Sequence, residues 1–308
     1  MINFRYHIVS LMAVFLALAV GIAVGVSLSP SVSAGLNEQA AQDRKQVTAL
    51  RGELDRVNAL DEYRDAWAGR AGQQLALGAL TGVGVAVVAM PDAPNPVVQA
   101  LTDGVTAAGG TVVRTVRVDP DVFDPTKAEV VDEAVGAYTE ELGLQEDMTP
   151  ATRFGRALGF SIAAQAPQER DELAVGIGDA LQGAGLATLS EGSNRRAELV
   201  VVVAAPASDP QPAPELLQAH VQADVGLLFH AAGLVLAGPN SESITGTDVL
   251  AARTDDDAAD LVSTVDVADL PSGVTTTVLA GQEQLLGRQG HYGALTRADA
   301  PLPTLPVR

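Results

Sequence analysis

The sequence predicts an α/β protein in which an N-terminal transmembrane helix and a coiled-coil helix precede a doubly wound, mostly parallel sheet. Three features predict it. Residues 8–28 form an uncharged apolar run of membrane length. A polar, helix-favouring stretch with heptad spacing follows, and beyond it short Val-rich runs alternate with helix-length segments.

Residues 1–7 are a short tip carrying Arg5, the one Lys or Arg before Arg44. Residues 8–28 hold no charge, and about 20 apolar residues suffice to cross a bilayer as a helix. Gly21 and Gly25 have the G-x-x-x-G spacing that lets two such helices approach, although Gly is also common in membrane helices generally. With positive charge before the span and none just after it, the N-terminus is expected in the cytoplasm and the remainder exported. Val32-Ser33-Ala34 has the small-residue pattern of a signal-peptide cleavage site. The apolar run exceeds the roughly 7–15 residues of a signal core, however, so an uncleaved anchor in contact with lipid is the expectation.

Residues 36–80 read as a coiled-coil helix. Val47, Leu50, Leu54 and Val57 follow the 3, 4, 3 spacing of a heptad seam. Leu60, Tyr63 and Trp67 continue at 3, 3 and 4, a slip that locally overwinds a coil. Such a seam fits a homo-oligomer or a partner helix; the other reading is an amphipathic helix lying on its own domain.

Residues 82–293 are expected to form the exported α/β domain. Strands are read at 83–90, 111–118, 186–189, 199–205, 234–237 and 261–265. Helices are read at 96–108, 125–142, 149–164, 167–183, 214–232, 247–252 and 273–286. This alternation is Rossmann-like, and right-handed crossovers gather the loops at Pro91, Asp119, Pro206, Pro239 and Asp266 on one edge. Residues 294–308 read as a flexible tail.

Composition narrows the function. Residues beyond 37 hold all 38 acidic side chains and 18 of the 19 basic ones, a balance that repels phosphate and argues against a nucleic-acid partner. There is no Cys, hence no disulfide framework and no thiolate for a soft metal. Neither G-x-G-x-x-G nor G-x-x-x-x-G-K-[ST] follows the first strand. Pro91 and Pro94 there lack the N–H groups a phosphate needs, so no nucleotide cofactor is expected.

His7, His220, His230 and His291 make no i, i+4 pair, and Met1, Met12, Met90 and Met148 do not cluster, so no metal site is expected. No G-x-S-x-G is present, Asp255-Asp256-Asp257 lacks calcium-loop spacing, and Glu140-Glu141 has no catalytic context. We expect no catalytic residues and no enzyme.

Three segments in order carry a resemblance: Asn3-Phe4-Arg5-Tyr6-His7-Ile8-Val9-Ser10-Leu11 with Phe15 to Gly21, then Ser263-Thr264-Val265-Asp266, then Gly290-His291-Tyr292-Gly293. Together they resemble the actinobacterial MctB family, known as copper transport outer-membrane proteins. The resemblance implies a channel that lowers intracellular copper. It also takes in SteB-type envelope factors, which work with a membrane partner of the SteA kind to control peptidoglycan hydrolysis at the septum. A lipid-facing barrel needs segments of alternating apolar and polar residues, whereas these strands are solidly apolar; the adaptor reading fits them better. Asp266, His291 and Tyr292 are the candidate ligand or partner surface. The structural readings of the same residues are a helix-start carboxylate for Asp266, and a helix C-cap with a packed aromatic turn for the closing motif.

Overall fold

The computed structural model describes residues 4–241 and 245–304. The chain forms two compact units, residues 1–64 and 65–308. One helix, α1 (Phe4–Ala76), runs through the first and supplies the opening of the second. Its segment Tyr6–Ser27 is 22 residues long with a mean hydropathy of 2.6, long and apolar enough to cross a membrane. The two helices expected at 8–28 and 36–80 are therefore one. Once a helix is nucleated, each added residue other than proline gains a hydrogen bond, so the helix continues through a short connector in which Pro30 alone lacks the N–H. The side chains of Val32-Ser33-Ala34 lie outside the described residues, as do residues 305–308.

The second unit begins earlier than the expected boundary at residue 82. The last turns of α1 pack on helix α8 (Pro271–Gln284), where small residues permit close approach. A Cβ on Gly69 would lie 3.6 Å from Pro271, and one on Gly72 would overlap the Thr275 side chain. The turn at Leu77–Gly82 then delivers the chain to the sheet.

The sheet has seven strands: β1 (Gly84–Ala89), β2 (Thr111–Val118), β3 (Ala187–Leu189), β4 (Leu199–Val203), β5 (Gly233–Ala237), β6 (Ser263–Val265) and β7 (His291–Tyr292). Their spatial order is β3-β2-β1-β4-β5-β6-β7, and every neighbouring pair is parallel except β2 with β3. Every residue of β1, β4 and β5 is buried, which is why these runs are continuously apolar and not alternating.

Strand side chains divide between two cores. Ala86, Val88, Val200, Val202, Leu234 and Leu236 face one. That core is covered by α3 (Ala128–Val135), α4 (Pro150–Ile162), α5 (Glu172–Gly183), α6 (Pro214–Leu228) and α7 (Asp248–Thr254). Val85, Val87, Leu199, Val201 and Val235 face the other, covered by α2 (Asn95–Ala107), α8 and the end of α1. Each fully buried Val or Leu contributes about 1.5–3 kcal/mol. The two faces together make the fold doubly wound, as expected.

Several elements differ from the sequence reading. The stretch 125–142 is broken into 3-10 turns around a short α3, with Gly136 at its end. Helix α5 starts at Glu172 and not at 167, because the Asp171 side chain accepts from Ala174 N–H at 2.8 Å and sets the start there. The strand β7 has no counterpart among the strands that the sequence predicts. Residues 294–304 are not a free tail: Gly293 N–H donates to Ala300 at 3.1 Å, and the Thr296 carbonyl accepts from Arg253 at 3.2 Å.

Helices α4 and α6 meet through glycine. A Cβ on Gly155 would overlap the Ala223 carbonyl, and one on Gly159 would stand 2.6 Å from the Leu227 carbonyl oxygen. This close crossing fixes α6, and with it His220 in the middle of the helix and His230 just beyond its C-terminal end.

Candidate functional site

The strand order reverses direction between β1 and β4, and in open parallel sheets a crevice forms outside the strand C-termini at that point. Here the crevice is a cavity of about 490 Å³ lined by the loops after β1, β2 and β4 and by the start of α6. The loop after β2 is shaped by two short caps. Asp119 accepts from Asp121 N–H, and Asp124 accepts from Thr126 N–H. Pro91, Pro120, Pro206 and Pro212 line the crevice, and each withholds a backbone N–H from it.

At the base of the crevice His220 of α6 meets Asp248 of α7, with Nδ1 2.8 Å from the carboxylate; both residues are buried. The Phe123 ring packs edge-on against the imidazole at 4.2 Å. One turn further along α6, Asp224 is 3% exposed and its Oδ2 has no hydrogen-bond partner. Burial first, and then the Asp248 charge, push its carboxyl well above the ordinary range. Ser208, on the same lining, donates its hydroxyl to the Pro210 carbonyl at 3.0 Å. The arrangement is a polar floor under a largely apolar crevice. Among the described residues no group of three His, Asp or Glu is placed to hold a metal ion. Sequence reasoning missed the His220–Asp248 pair because its members lie 28 positions apart on different helices, with no local spacing to join them.

The three residues singled out from sequence do come together, at the other end of the sheet. Tyr292 pairs with Val265 and His291 with Thr264, and Asp266 N–H donates to the Tyr292 carbonyl at 3.2 Å. Asp266 is 2% exposed, and its carboxylate accepts from Arg253 at 2.8 Å, Ala294 N–H at 2.8 Å and Leu295 N–H at 3.3 Å. It is therefore neither a crevice group nor a helix-start carboxylate: α8 begins five residues later, after Leu270. Asp266 instead ties the segment after β7 to the sheet.

The Tyr292 hydroxyl bonds to the Glu283 carboxylate; burial, that bond and its charge push the phenol up. His291 lies 3.0 Å from the Thr264 hydroxyl, and burial first, then the Arg253 charge, lower its pKa. The motif is a strand and not a helix cap. Its glycines are required by close approach, since a Cβ on Gly290 would overlap the Tyr292 ring and one on Gly293 the Asp266 carboxylate.

In the first unit the seam residues Val47, Leu50, Leu54 and Val57 are 45, 58, 58 and 39% exposed. They lie on one unbroken helix, where 3, 4, 3 spacing places them along a single stripe.

Comparison with known proteins converges on one family. A family model described as "Copper transport outer membrane protein, MctB" matches residues 1–303. A relative named copper transporter MctB in Mycobacterium tuberculosis is 27% identical over 309 residues, covering 95% of this chain and 96% of the relative. Its namesake in Mycobacterium leprae is 29% identical over 310 residues, with the same coverage of 95% and 96%.

Proposed function

Because the chain belongs to the MctB family, we propose that it is a non-enzymatic cell-envelope protein serving copper homeostasis as a tethered binding subunit. Residues 8–28 cross the cytoplasmic membrane with the N-terminus inside. Residues 36–80 pair two copies or engage a partner helix, and the sheet domain is exported. One observation carries this reading: Tyr6–Ser27 is wholly unburied and apolar, and it passes without a break into the helix bearing the exposed seam. At about 1.5 Å per residue, a helix of that length matches a hydrocarbon core of about 30 Å.

Copper, which the name of the relatives carries, is the substrate in this reading and not a resident cofactor. The chain has no Cys, and among the described residues no three ligating side chains converge. Copper handling then falls to a partner that the exported domain engages, with the crevice over His220 and Asp248 as its ligand surface.

A second reading is an SteB-type adaptor that controls peptidoglycan hydrolysis and cell separation with an SteA-like membrane protein. It is favoured by the sheet, which is mostly parallel with helices on both faces. A lipid-embedded β-barrel is antiparallel and closed.

Fractionation of cells carrying the full chain tests the common premise. Intact protein among inner-membrane markers supports the tethered subunit, whereas outer-membrane recovery with ion conductance overturns it. Deleting the gene separates the two roles. Copper sensitivity with normal septation supports the first, and chained cells with unchanged copper tolerance support the second.

A further inference from the structure

The edge opposite the crevice carries a cavity of about 570 Å³ between α4 and α6 and the segments entering β4, β5 and β6. Its polar lining includes Arg156, Arg196, His230, Gln165 and Gln168, and no Asp or Glu lines it. The chain as a whole has 38 acidic and 19 basic residues, so two arginines without an acid is a local reversal of charge.

Both guanidinium groups are held on aromatic faces. Arg156 lies 3.7 Å over the Phe229 ring and Arg196 4.6 Å over Phe160. His230 stands edge-on to both rings, at 5.2 Å from Phe160 and 5.0 Å from Phe229. Two of the chain's six Phe residues thus build one box in an aromatic-poor protein.

The charges are under-compensated. Arg156 donates to the carbonyls of Leu142 at 3.4 Å and Gly143 at 3.1 Å, and no carboxylate among the described residues lies within 4.0 Å of it. Arg196 is 5% exposed, and its one ion pair, to Asp171 at 3.0 Å, is with a side chain that is 53% exposed. The Nε atoms of both arginines and Nε2 of His230 are buried without a hydrogen-bond partner. Burial, followed by the Arg156 and Arg196 charges, holds the His230 pKa at about 4. At neutral pH the positive field in this cavity is therefore that of the arginines.

A desolvated guanidinium with spare N–H groups is completed by an oxyanion, which it meets with charge-assisted bonds. The remaining walls, from Ala163, Ala164, Val225, Leu228 and Leu261, are apolar and suit a carbon body. We propose that this cavity binds an organic anion, a carboxylate or phosphate ester on an aromatic or apolar body, with Arg156 and Arg196 on the oxyanion and the apolar wall beside Phe229 on the body.

The test is titration of the full chain, held in nanodiscs of zwitterionic lipid, with 1-naphthyl phosphate. Protein-free nanodiscs and neutral 1-naphthol serve as controls. The expected result is saturable binding of one probe per chain, competed by phenyl phosphate and not by 1-naphthol. Arg156→Gln should weaken it about tenfold or more. Phe229→Leu, at a half-exposed position, should weaken it with the thermal transition unchanged, and it carries the test if Arg156→Gln does not fold. Absence of saturable binding, equal competition by 1-naphthol, or unchanged affinity in a folded variant overturns the proposal.

Discussion

The Arg253 guanidinium lies 2.8 Å from the Asp266 carboxylate, and neither side chain is more than 2% exposed. Arg253 also donates to the Thr264 hydroxyl at 2.7 Å and to the Tyr292 carbonyl at 2.8 Å, so a single side chain joins α7, β6 and β7. Burial lowers its pKa, and the Asp266 bond opposes that shift. Removing one member of a buried pair leaves an uncompensated charge, so Asp266→Ala should cost about 3–5 kcal/mol. The double variant Arg253→Met, Asp266→Leu should recover part of this. Recovery should stay incomplete, because Ala294 and Leu295 N–H lose their acceptor. Denaturant unfolding followed by the fluorescence of Trp67, the single tryptophan, reads both. A double variant no more stable than Asp266→Ala would show that the uncompensated charge is not the source of the loss.

Gly293 should be the least replaceable glycine of the closing motif. Its φ is 138°, and a Cβ there would overlap the Asp266 carboxylate. Gly287 has a φ of 73° but open space around it. Gly287→Ala should then cost only the backbone strain of a left-handed residue, about 1 kcal/mol. Gly293→Ala should cost at least twice as much, with earlier proteolytic cleavage after residue 293. Equal melting temperatures for the two variants would show that the overlap relaxes freely.

The wound domain was legible because its strands are self-announcing: Leu199–Val203 is five consecutive buried apolar residues, and Thr111–Val118 matched its expected bounds. Helix breaks were less legible, since the 3-10 turns near Pro125 and Gly136 keep helical composition. The two-residue β7 was hidden altogether. It is too short for any periodicity, and pairing with Thr264 and Val265 makes it a strand. The motif that singled out Asp266, His291 and Tyr292 did locate a real cluster, yet its chemistry is that of a fastening. The polar floor joins His220 and Asp224 of α6 to Asp248 of α7, and the arginine cavity joins Arg156 of α4 to Arg196 before β4 and His230 after α6, which no local spacing can reveal.

Stability should depend on pH from two groups acting in opposite senses, the part-buried His230 and the buried Asp224. Unfolded, the His230 imidazole takes a proton below its ordinary 6.5, while the folded ring stays neutral down to about 4. The unfolded state therefore binds more protons in that window, so stability is full above 6.5 and falls as pH drops toward 4. The loss should be about 1–2 kcal/mol, after discounting for the ring's partial exposure. Asp224 works the other way. Its folded pKa is raised above 3.8, so the folded chain keeps a proton that the unfolded chain releases, and stability falls as pH rises beyond 3.8. Asn resembles the protonated carboxyl, so Asp224→Asn should raise the melting temperature at pH 7. His230→Gln should flatten the acid limb. Melting curves between pH 4 and 8 that remain parallel to the parent would remove both assignments.

The exposed seam of α1 carries the oligomer reading, and it can be separated from the membrane span. Val47, Leu50, Leu54 and Val57 lie on one stripe, and covering each large apolar side chain with a second copy contributes about 1.5–3 kcal/mol. Glu at Leu50 and Leu54 would place like charges across such a seam and desolvate them. Leu50→Glu with Leu54→Glu should therefore convert the full chain in mild detergent from dimer to monomer by mass. Gly21 and Gly25 have nothing within 4 Å of an added Cβ in a single chain, so a Leu at Gly25 tests pairing through the span alone. If Gly25→Leu dissociates the copies and the double Glu variant does not, the contact belongs to the lipid-embedded turns. If only the double Glu variant dissociates them, the coil beyond the membrane holds two exported domains side by side, each presenting its own crevice.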